Sequence, residues 1–172
     1  MALIIEEGAG DNLLANSYRS VEDLRLYAKL RGIDLGNKTE AECETLLISA
    51  MDYLEAQRDR FKGYKTSNSQ PLQWPRAEVW DVEQRNALLP DNEIPRLVEY
   101  AQLALAIEAI NNDLIPNKTT EQRGTVLKEK VGSIEVTYSA DAPVKNFTEA
   151  LAKPAALLSP LYKRNGLTMV RG

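Results

Sequence analysis

The chain has 172 residues, 44% of them apolar and 27% charged, with a formal net charge of −4. The length and the apolar content suit one domain with a modest core. The net negative charge does not favour duplex-DNA binding by the whole molecule. It contains no histidine and a single cysteine, Cys43. His-dependent catalytic triads, an internal disulfide and a cysteine-rich zinc site are therefore excluded.

The N-terminal residues 2–5, with the sequence ALII, predict a short strand, which must pair with another segment or with a neighbouring copy. The following EEGAG predicts a flexible loop. Four apolar residues are too few for a signal peptide, and no stretch approaches the length of a membrane helix. We therefore expect no association with a membrane.

Four helices are predicted from apolar spacing and capping signals. The first covers residues 20–31 with Ser20 as N-cap, and the second covers 39–58 with a Thr39–Glu42 capping box and Cys43 as a packing residue. The third covers 94–113 and places Pro95 in its first turn. Its two apolar stripes predict a helix that is central in the bundle or shared with a neighbouring subunit. The fourth covers 148–162.

A β-hairpin is predicted over residues 124–139, because apolar and polar residues alternate on both sides of a glycine turn. A lone hairpin is marginal in water, so it must lean on the helices or extend a sheet with another chain. Its contact residues are predicted to be Val131, Ile134, Val136 and Tyr138.

These elements predict a mainly α (α+β) fold in which three to four antiparallel helices form a small bundle with the hairpin and the short strand. The bundle forms a single domain over residues 1–162. An extended C-terminal tail, residues 163–172, follows it and carries basic and apolar residues. Such a tail could be ordered by docking into a partner.

No enzyme motif is present. The EEGAGDN stretch has two glycines but no lysine at the spacing of a phosphate-binding loop. Acidic pairs elsewhere are typical of solvated faces and helix starts. We therefore predict no catalytic residue, no metal site and no cofactor.

The segment from Arg58 to Trp80 is basic and aromatic and contains four of the chain's aromatic residues. Single-stranded-DNA-binding proteins set aromatic platforms in a positive groove, which is one interpretation. The other, which we favour, is a rigid loop that makes protein contacts within the subunit or with a neighbour, with Arg76 paired to a carboxylate. The predicted anchors are Phe61, Tyr64, Trp74, Arg76 and Trp80.

The order of these pieces resembles a family of tailed-phage head–tail adaptor, or head-completion, proteins, whose sequences often carry the label "DnaT-like ssDNA-binding protein". The resemblance extends to about residue 162. It rests on the stretches ANSYRSVEDLRLYAKLRG, RFKGYKTS, QPLQWPR, EIPRLVEYAQLALA, KEKVGSIEVTYS and ALLSPLY.

The resemblance implies a structural virion protein that forms a homo-oligomeric ring, as a dodecamer, beneath the portal protein. Such a ring extends the DNA channel and docks a tail stopper, terminator or other neck protein, while double-stranded DNA passes through its lumen without specific binding. Its location would be the head–tail junction, after assembly in the host cytoplasm. The alternative is a single-stranded-DNA-binding replication protein. By the same resemblance the tail binds the portal, through Lys163, Arg164, Leu167, Met169, Val170 and Arg171.

Overall fold

The computed structural model describes residues 2–8, 10–81, 87–115, 128–131, 134–137 and 151–163. Within these ranges there are four α-helices and two short antiparallel strand pairs, so the mainly α fold with a small β part is confirmed. The helices are α1 (Val21–Lys29), α2 (Glu40–Ala56), α3 (Arg96–Glu108) and α4 (Ala152–Leu158). The strands are β1 (Tyr64–Lys65), β2 (Arg76–Ala77), β3 (Lys128–Val131) and β4 (Ile134–Thr137), and 3₁₀ turns cover Arg58–Arg60 and Ser159–Leu161.

Both predicted N-caps are present. The Ser20 hydroxyl accepts a hydrogen bond from the Asp23 amide, and the Asp23 carboxylate accepts one from the Ser20 amide. Thr39 and Glu42 form the same reciprocal box at the start of α2, with distances of 2.7 and 3.3 Å. These bonds satisfy amides that a helix start leaves unpaired, and so they set where α1 and α2 begin.

Helix α3 is the central element of the bundle. It packs against α1, α2 and α4, and every residue from Ala101 to Ala106 is buried. The two apolar stripes predicted a helix that is either central in the bundle or shared with a neighbouring subunit. The structure shows the central position. Cys43 on α2 is fully buried in the same core, as its predicted packing role requires.

Gln102 is a buried polar side chain in the middle of α3 that joins three parts of the chain. Its amide oxygen accepts from the Tyr18 backbone N–H at 3.0 Å. Its amide nitrogen donates to the Ser17 hydroxyl at 2.7 Å and to the Leu47 carbonyl at 3.4 Å. Because these groups satisfy one another, Ser17 and Tyr18 can lie against α2 and α3 with the polar groups of this contact paired.

Two predicted helix spans differ from the structure. Helix α3 spans Arg96–Glu108 instead of 94–113, because Pro95 holds an extended ψ of 133° and the Asn112 side chain bonds back to the Glu108 carbonyl. The last helix is shorter than 148–162: α4 covers Ala152–Leu158 and then tightens into the 3₁₀ turn. Residues 148–150 lie outside the described residues.

The predicted N-terminal strand is a single parallel bridge between Ile5 and Ser17, so it pairs with its own chain and needs no neighbouring copy. Glu6 then folds inward. Its Oε1 accepts the amides of Gly8 and Gly10, both at 3.0 Å. This carboxylate ties the backbones of Gly8 and Gly10 together, where the sequence predicted only a flexible loop.

The predicted hairpin is present in its backbone pairing. Strands β3 and β4 run antiparallel, with Val131 opposite Ile134 and Glu129 opposite Val136. Tyr138, the fourth predicted contact residue, lies outside the described residues. Among the described helices, none combines the length and the apolar character of a membrane-spanning segment.

Two tyrosines give the folded state a dependence on alkaline pH. Burial raises the pKa of Tyr162 to about 12 and raises that of Tyr18 still further, above the ordinary value of about 10. The unfolded chain therefore loses these phenolic protons at lower pH than the folded chain does. The corresponding stability is complete below pH 10 and is lost as the pH rises from about 10 towards 12.

We predict that the free energy of unfolding, measured by urea titration, falls steadily between about pH 10 and 12. Tyr162→Phe keeps the buried ring and removes one titrating phenol, so its decline should be shallower than that of the parent chain. Equal slopes for the two proteins would contradict the assignment.

Candidate functional site

The candidate site is the segment from Arg58 to Trp80, which leaves α2 and crosses the core before returning to the surface. It is held at its start by a bridge between Phe61 and Tyr162, in which the Lys62 amide donates to the Leu161 carbonyl at 2.9 Å. Strands β1 and β2 then pair antiparallel. Gly63, at φ 62°, allows this approach, since a Cβ there would lie 2.0 Å from the Ala77 carbonyl oxygen.

An aromatic cluster forms the buried centre of the segment. The ring of Phe61 lies edge-on to Trp74, with centroids 5.7 Å apart, and is tilted against Tyr162 at 5.3 Å. Phe61 and Trp74 are at most 1% exposed. The Trp74 backbone N–H donates to the Tyr18 hydroxyl, while its indole N–H has no partner among the described residues. The indole is therefore held by packing inside the subunit, so it is not available to a neighbour or to a stacked base.

Arg76 is the polar counterpart of this cluster. Its guanidinium donates to the carbonyl oxygens of Lys62 and Gly63, both at 2.8 Å, and to the Gln73 side-chain oxygen at 3.1 Å. Burial lowers the pKa of Arg76. The expected pairing with a carboxylate was wrong, because the acceptors found here are neutral. The Glu55 carboxylate, whose charge acts on Arg76, instead accepts hydrogen bonds from the backbone N–H and the side-chain amide of Gln73.

Two of the segment's four other cations, Lys62 and Lys65, are engaged by backbone oxygens, whereas Arg58 and Arg60 are exposed. The Lys62 ammonium donates to the Pro160 carbonyl at 2.6 Å. The Lys65 ammonium donates to the carbonyls of Gln70 and Pro71 at 2.9 and 3.3 Å. Chain segments without regular structure leave backbone groups unpaired, and here basic side chains satisfy them. Lys62, Lys65 and Arg76 are therefore used for hydrogen bonds inside the subunit, and this accounts for much of the segment's basic composition.

Two of the five predicted anchors lie at the surface. Tyr64 is 54% exposed, and its hydroxyl donates to the Glu78 carboxylate, which raises the pKa of the phenol. Trp80 is 57% exposed and forms an antiparallel bridge with Leu88, which is 50% exposed. The predicted set is thus divided, with Phe61, Trp74 and Arg76 together in the core and Tyr64 and Trp80 apart from them.

The start of the tail lies beside the 3₁₀ turn Arg58–Arg60. The Lys163 amide donates to the Arg60 carbonyl at 2.8 Å, its ammonium donates to the Asp59 carbonyl, and the Arg60 guanidinium lies 4.2 Å above the Tyr162 ring. Arg58, Arg60 and Lys163 are exposed. The remaining predicted portal-binding residues lie outside the described residues, namely Arg164, Leu167, Met169, Val170 and Arg171.

The described part of the site offers packing, hydrogen bonding and a small cationic surface. No group of three His, Cys, Asp or Glu side chains is placed to hold a metal ion anywhere in the described ranges. Tyr162 and Tyr18 were not among the predicted anchors, although they contact Phe61 and Trp74 from distant parts of the chain. No local pattern could have found them, since their partners lie far away in sequence.

We predict that Trp74→Ala lowers the free energy of unfolding by about 3–5 kcal/mol, because it removes a fully buried aromatic from a packed cluster. Trp80→Ala is the matched control and should cost less than about 1 kcal/mol, since that ring is more than half exposed. Urea unfolding followed by circular dichroism measures both. Trp74→Phe keeps an aromatic ring and should fall between them; similar losses for Trp74→Ala and Trp80→Ala would argue against the buried anchor.

We predict that Arg76→Lys costs about 1–3 kcal/mol even though the charge is kept, because an ammonium cannot match the fork of donors and leaves a buried carbonyl unpaired. Arg58→Lys, on the exposed turn, is the control and should leave the urea midpoint unchanged. A neutral effect of Arg76→Lys would show that charge alone is required.

Comparison with protein families gives one match over the whole chain. The model of the family described as "Putative DnaT-like ssDNA binding protein" matches residues 1–172. No curated protein and no solved structure matches the chain. The family description corresponds to the alternative drawn from the sequence, single-stranded-DNA binding, and not to the adaptor. The chain belongs to this DnaT-like ssDNA-binding family.

Proposed function

We propose that the protein is an assembly subunit, which forms a ring at the head–tail junction of a tailed phage and docks on the portal. The observation that carries this proposal is the internal use of the segment Arg58–Trp80. Phe61 and Trp74 are buried, and Arg76 is bonded to backbone and amide oxygens. A segment built in this way packs the core of its own subunit and leaves no platform for stacked bases at Phe61 and Trp74, which favours an assembly role over base binding there. The ring and the portal come from the resemblance of the sequence to adaptors.

Exposed apolar side chains add support. Leu26 and Leu30 on α1 are 55% and 72% exposed, and Trp80 and Leu88 form a second exposed apolar pair. Single exposed leucines are ordinary on a protein surface, whereas adjacent exposed apolar side chains offer area that a partner subunit could cover. The net charge of −4 also suits a conduit, because a strongly basic lumen would hold the DNA that has to pass.

The second candidate function is single-stranded-DNA binding, and the family description favours it. The described surface best suited to it is the cationic cluster of Arg58, Arg60 and Lys163, beside the Tyr162 ring. Such a cluster could contact phosphates, but Tyr162 is only 9% exposed and offers little face for stacking a base. The sequence suggested that Phe61 and Trp74 stack DNA bases, but both rings are buried and cannot do so.

Two measurements on the full chain separate the functions. For an adaptor, electron microscopy and sedimentation of the protein mixed with its portal should show rings bound to the portal. Fluorescence anisotropy with a single-stranded oligonucleotide should show weak binding that disappears at physiological ionic strength.

A replication protein should give the opposite result. Binding would persist at physiological salt, and its logarithm would fall by about 0.7 per phosphate contact for each logarithmic unit of salt. Arg58→Ala together with Lys163→Ala would then weaken binding and flatten that slope, whereas Lys38→Ala, on the loop before α2, serves as the control. Tight, salt-resistant binding without portal association would overturn the adaptor proposal.

A further inference from the structure

A groove between α1 and α3 exposes apolar side chains at the surface. It has a volume of about 180 Å³, and its lining includes Leu26, Tyr27, Leu30, Arg31, Tyr100 and Leu103. Leu26 and Leu30 are 55% and 72% exposed. Because residues four positions apart lie on one face of a helix, these two leucines form one apolar strip along the groove. The groove therefore offers uncovered apolar area to a partner.

The aromatic rings of the groove are covered by cations. The Arg31 guanidinium lies 3.5 Å from the centroid of the Tyr27 ring and 5.6 Å from that of Tyr100. The Arg96 guanidinium lies 4.7 Å from the Tyr100 centroid, and the Lys153 ammonium lies 5.4 Å from that of Tyr27. Stacking on a ring holds a guanidinium in place and leaves N–H groups at its edge for an acceptor. The groove therefore carries positive charge at fixed positions.

The described acids beside the groove do not neutralise these guanidinium groups. The stretch RLYAKLRGI, which includes Arg31, contains three bases and no acid. Asp23 and Glu99 both pair with Arg19, at 3.6 and 2.5 Å. Within the described part of the chain, no acid forms an ion pair with Arg31 or Arg96. Both guanidinium groups are exposed and can therefore accept an acidic partner.

The two remaining cations of this stretch differ in their surroundings. The Arg25 guanidinium donates to the Lys38 carbonyl at 2.9 Å, and its charge acts on Glu22. Lys29 is exposed, and none of the described acids forms an ion pair with it. Lys29 also lies next to Leu30 in the chain, so its charge borders the apolar strip.

We propose that this groove docks an acidic helical segment of a partner protein, in which two apolar side chains lie one turn apart between carboxylates. The apolar pair covers Leu26 and Leu30, and the carboxylates meet Arg31, Arg96 and Lys29. An amphipathic helix in an apolar groove is a recurring mode of recognition, with anchors four residues apart. Arginine suits the carboxylates because its N–H groups match their two oxygens. The docking site goes beyond the proposed ring, since it takes a different protein and lies within a single subunit.

Two other occupants suit the groove less well. Single-stranded DNA needs open ring faces for its bases, but Tyr27 is 4% exposed and cations lie over both tyrosine rings. A second copy that presented the same groove would bring Lys29 and Arg31 against their own counterparts, and like charges repel. The exposed leucines and the unpaired cations together therefore favour an acidic partner with apolar side chains.

A labelled synthetic helix tests the site. The probe is a stapled, alanine-based peptide with two leucines four positions apart and glutamates beside them. One matched probe has lysine in place of every glutamate, and the other has alanine in place of both leucines. Fluorescence anisotropy measures their binding to the full chain. The acidic leucine probe should bind at least about tenfold more tightly than either matched probe, and its affinity should fall with added salt.

Substitutions in the protein locate the binding. Leu30→Ala should weaken binding of the acidic leucine probe at least about fivefold, because it removes half of the apolar strip. Lys29→Glu together with Arg96→Glu should reverse the charge preference, so that the lysine probe binds better than the glutamate probe. Both positions are exposed, and circular dichroism checks that the fold is kept. Leu14→Ala and Arg58→Glu make the same changes at exposed positions outside the groove and should leave the affinity unchanged.

The proposal is overturned if the three probes bind alike, or if the groove variants change the affinity no more than the two controls do. Binding of a single-stranded oligonucleotide that is lost in the double glutamate variant, with no preference among the peptides, would assign the groove to nucleic acid instead. Sedimentation of the chain without peptide gives a third arm, since self-association that Leu30→Ala abolishes would assign the groove to a second copy. Ring formation and portal binding are measured in parallel, and their absence would remove the adaptor role while the docking site stands.

Discussion

The structure depends on one constraint, which is that an irregular chain segment crosses the core and its backbone polar groups must still be satisfied. Between α2 and β2 there is no long helix or sheet to pair them, and a buried unpaired carbonyl costs about 1–3 kcal/mol. Arg76 meets this need at the point where the segment is most buried, since one guanidinium reaches the carbonyls of Lys62, Gly63 and Gln73. Lys62 and Lys65 serve neighbouring carbonyls in the same way.

This constraint changes the meaning of the segment's composition. Interleaved cations and aromatics are typical of a single-stranded-DNA-binding groove, and they are also what a buried loop needs, because aromatics fill the core and cations satisfy the backbone. The burial of Phe61 and Trp74 favours the second use for these residues. The family is described by ssDNA binding. If the protein binds DNA, the described surface best suited to it is the exposed cluster of Arg58, Arg60 and Lys163.

The central position of α3 leaves α1 as a peripheral helix with its outer leucines uncovered. Because α3 is buried along Ala101–Ala106, its apolar stripes are used within the subunit and do not need a neighbour. On the outer face of α1, Leu26 and Leu30 are accordingly 55% and 72% exposed, because no described element covers them.

The sequence by itself determined the local features. The caps at Ser20 and Thr39, the apolar stripe of α2, the hairpin pairing of Val131 with Ile134 and the mainly α fold follow from side chains acting on backbone within a few residues. The tertiary structure alone decided which residues of the Arg58–Trp80 segment are buried, that Tyr162 and Tyr18 complete its aromatic cluster, and that Arg76 binds carbonyls instead of a carboxylate. Phe61 meets Tyr162 and Trp74 meets Tyr18 from distant parts of the chain, and Arg76 reaches carbonyls only because the loop folds back on itself. No local periodicity encodes which of these partners a side chain meets.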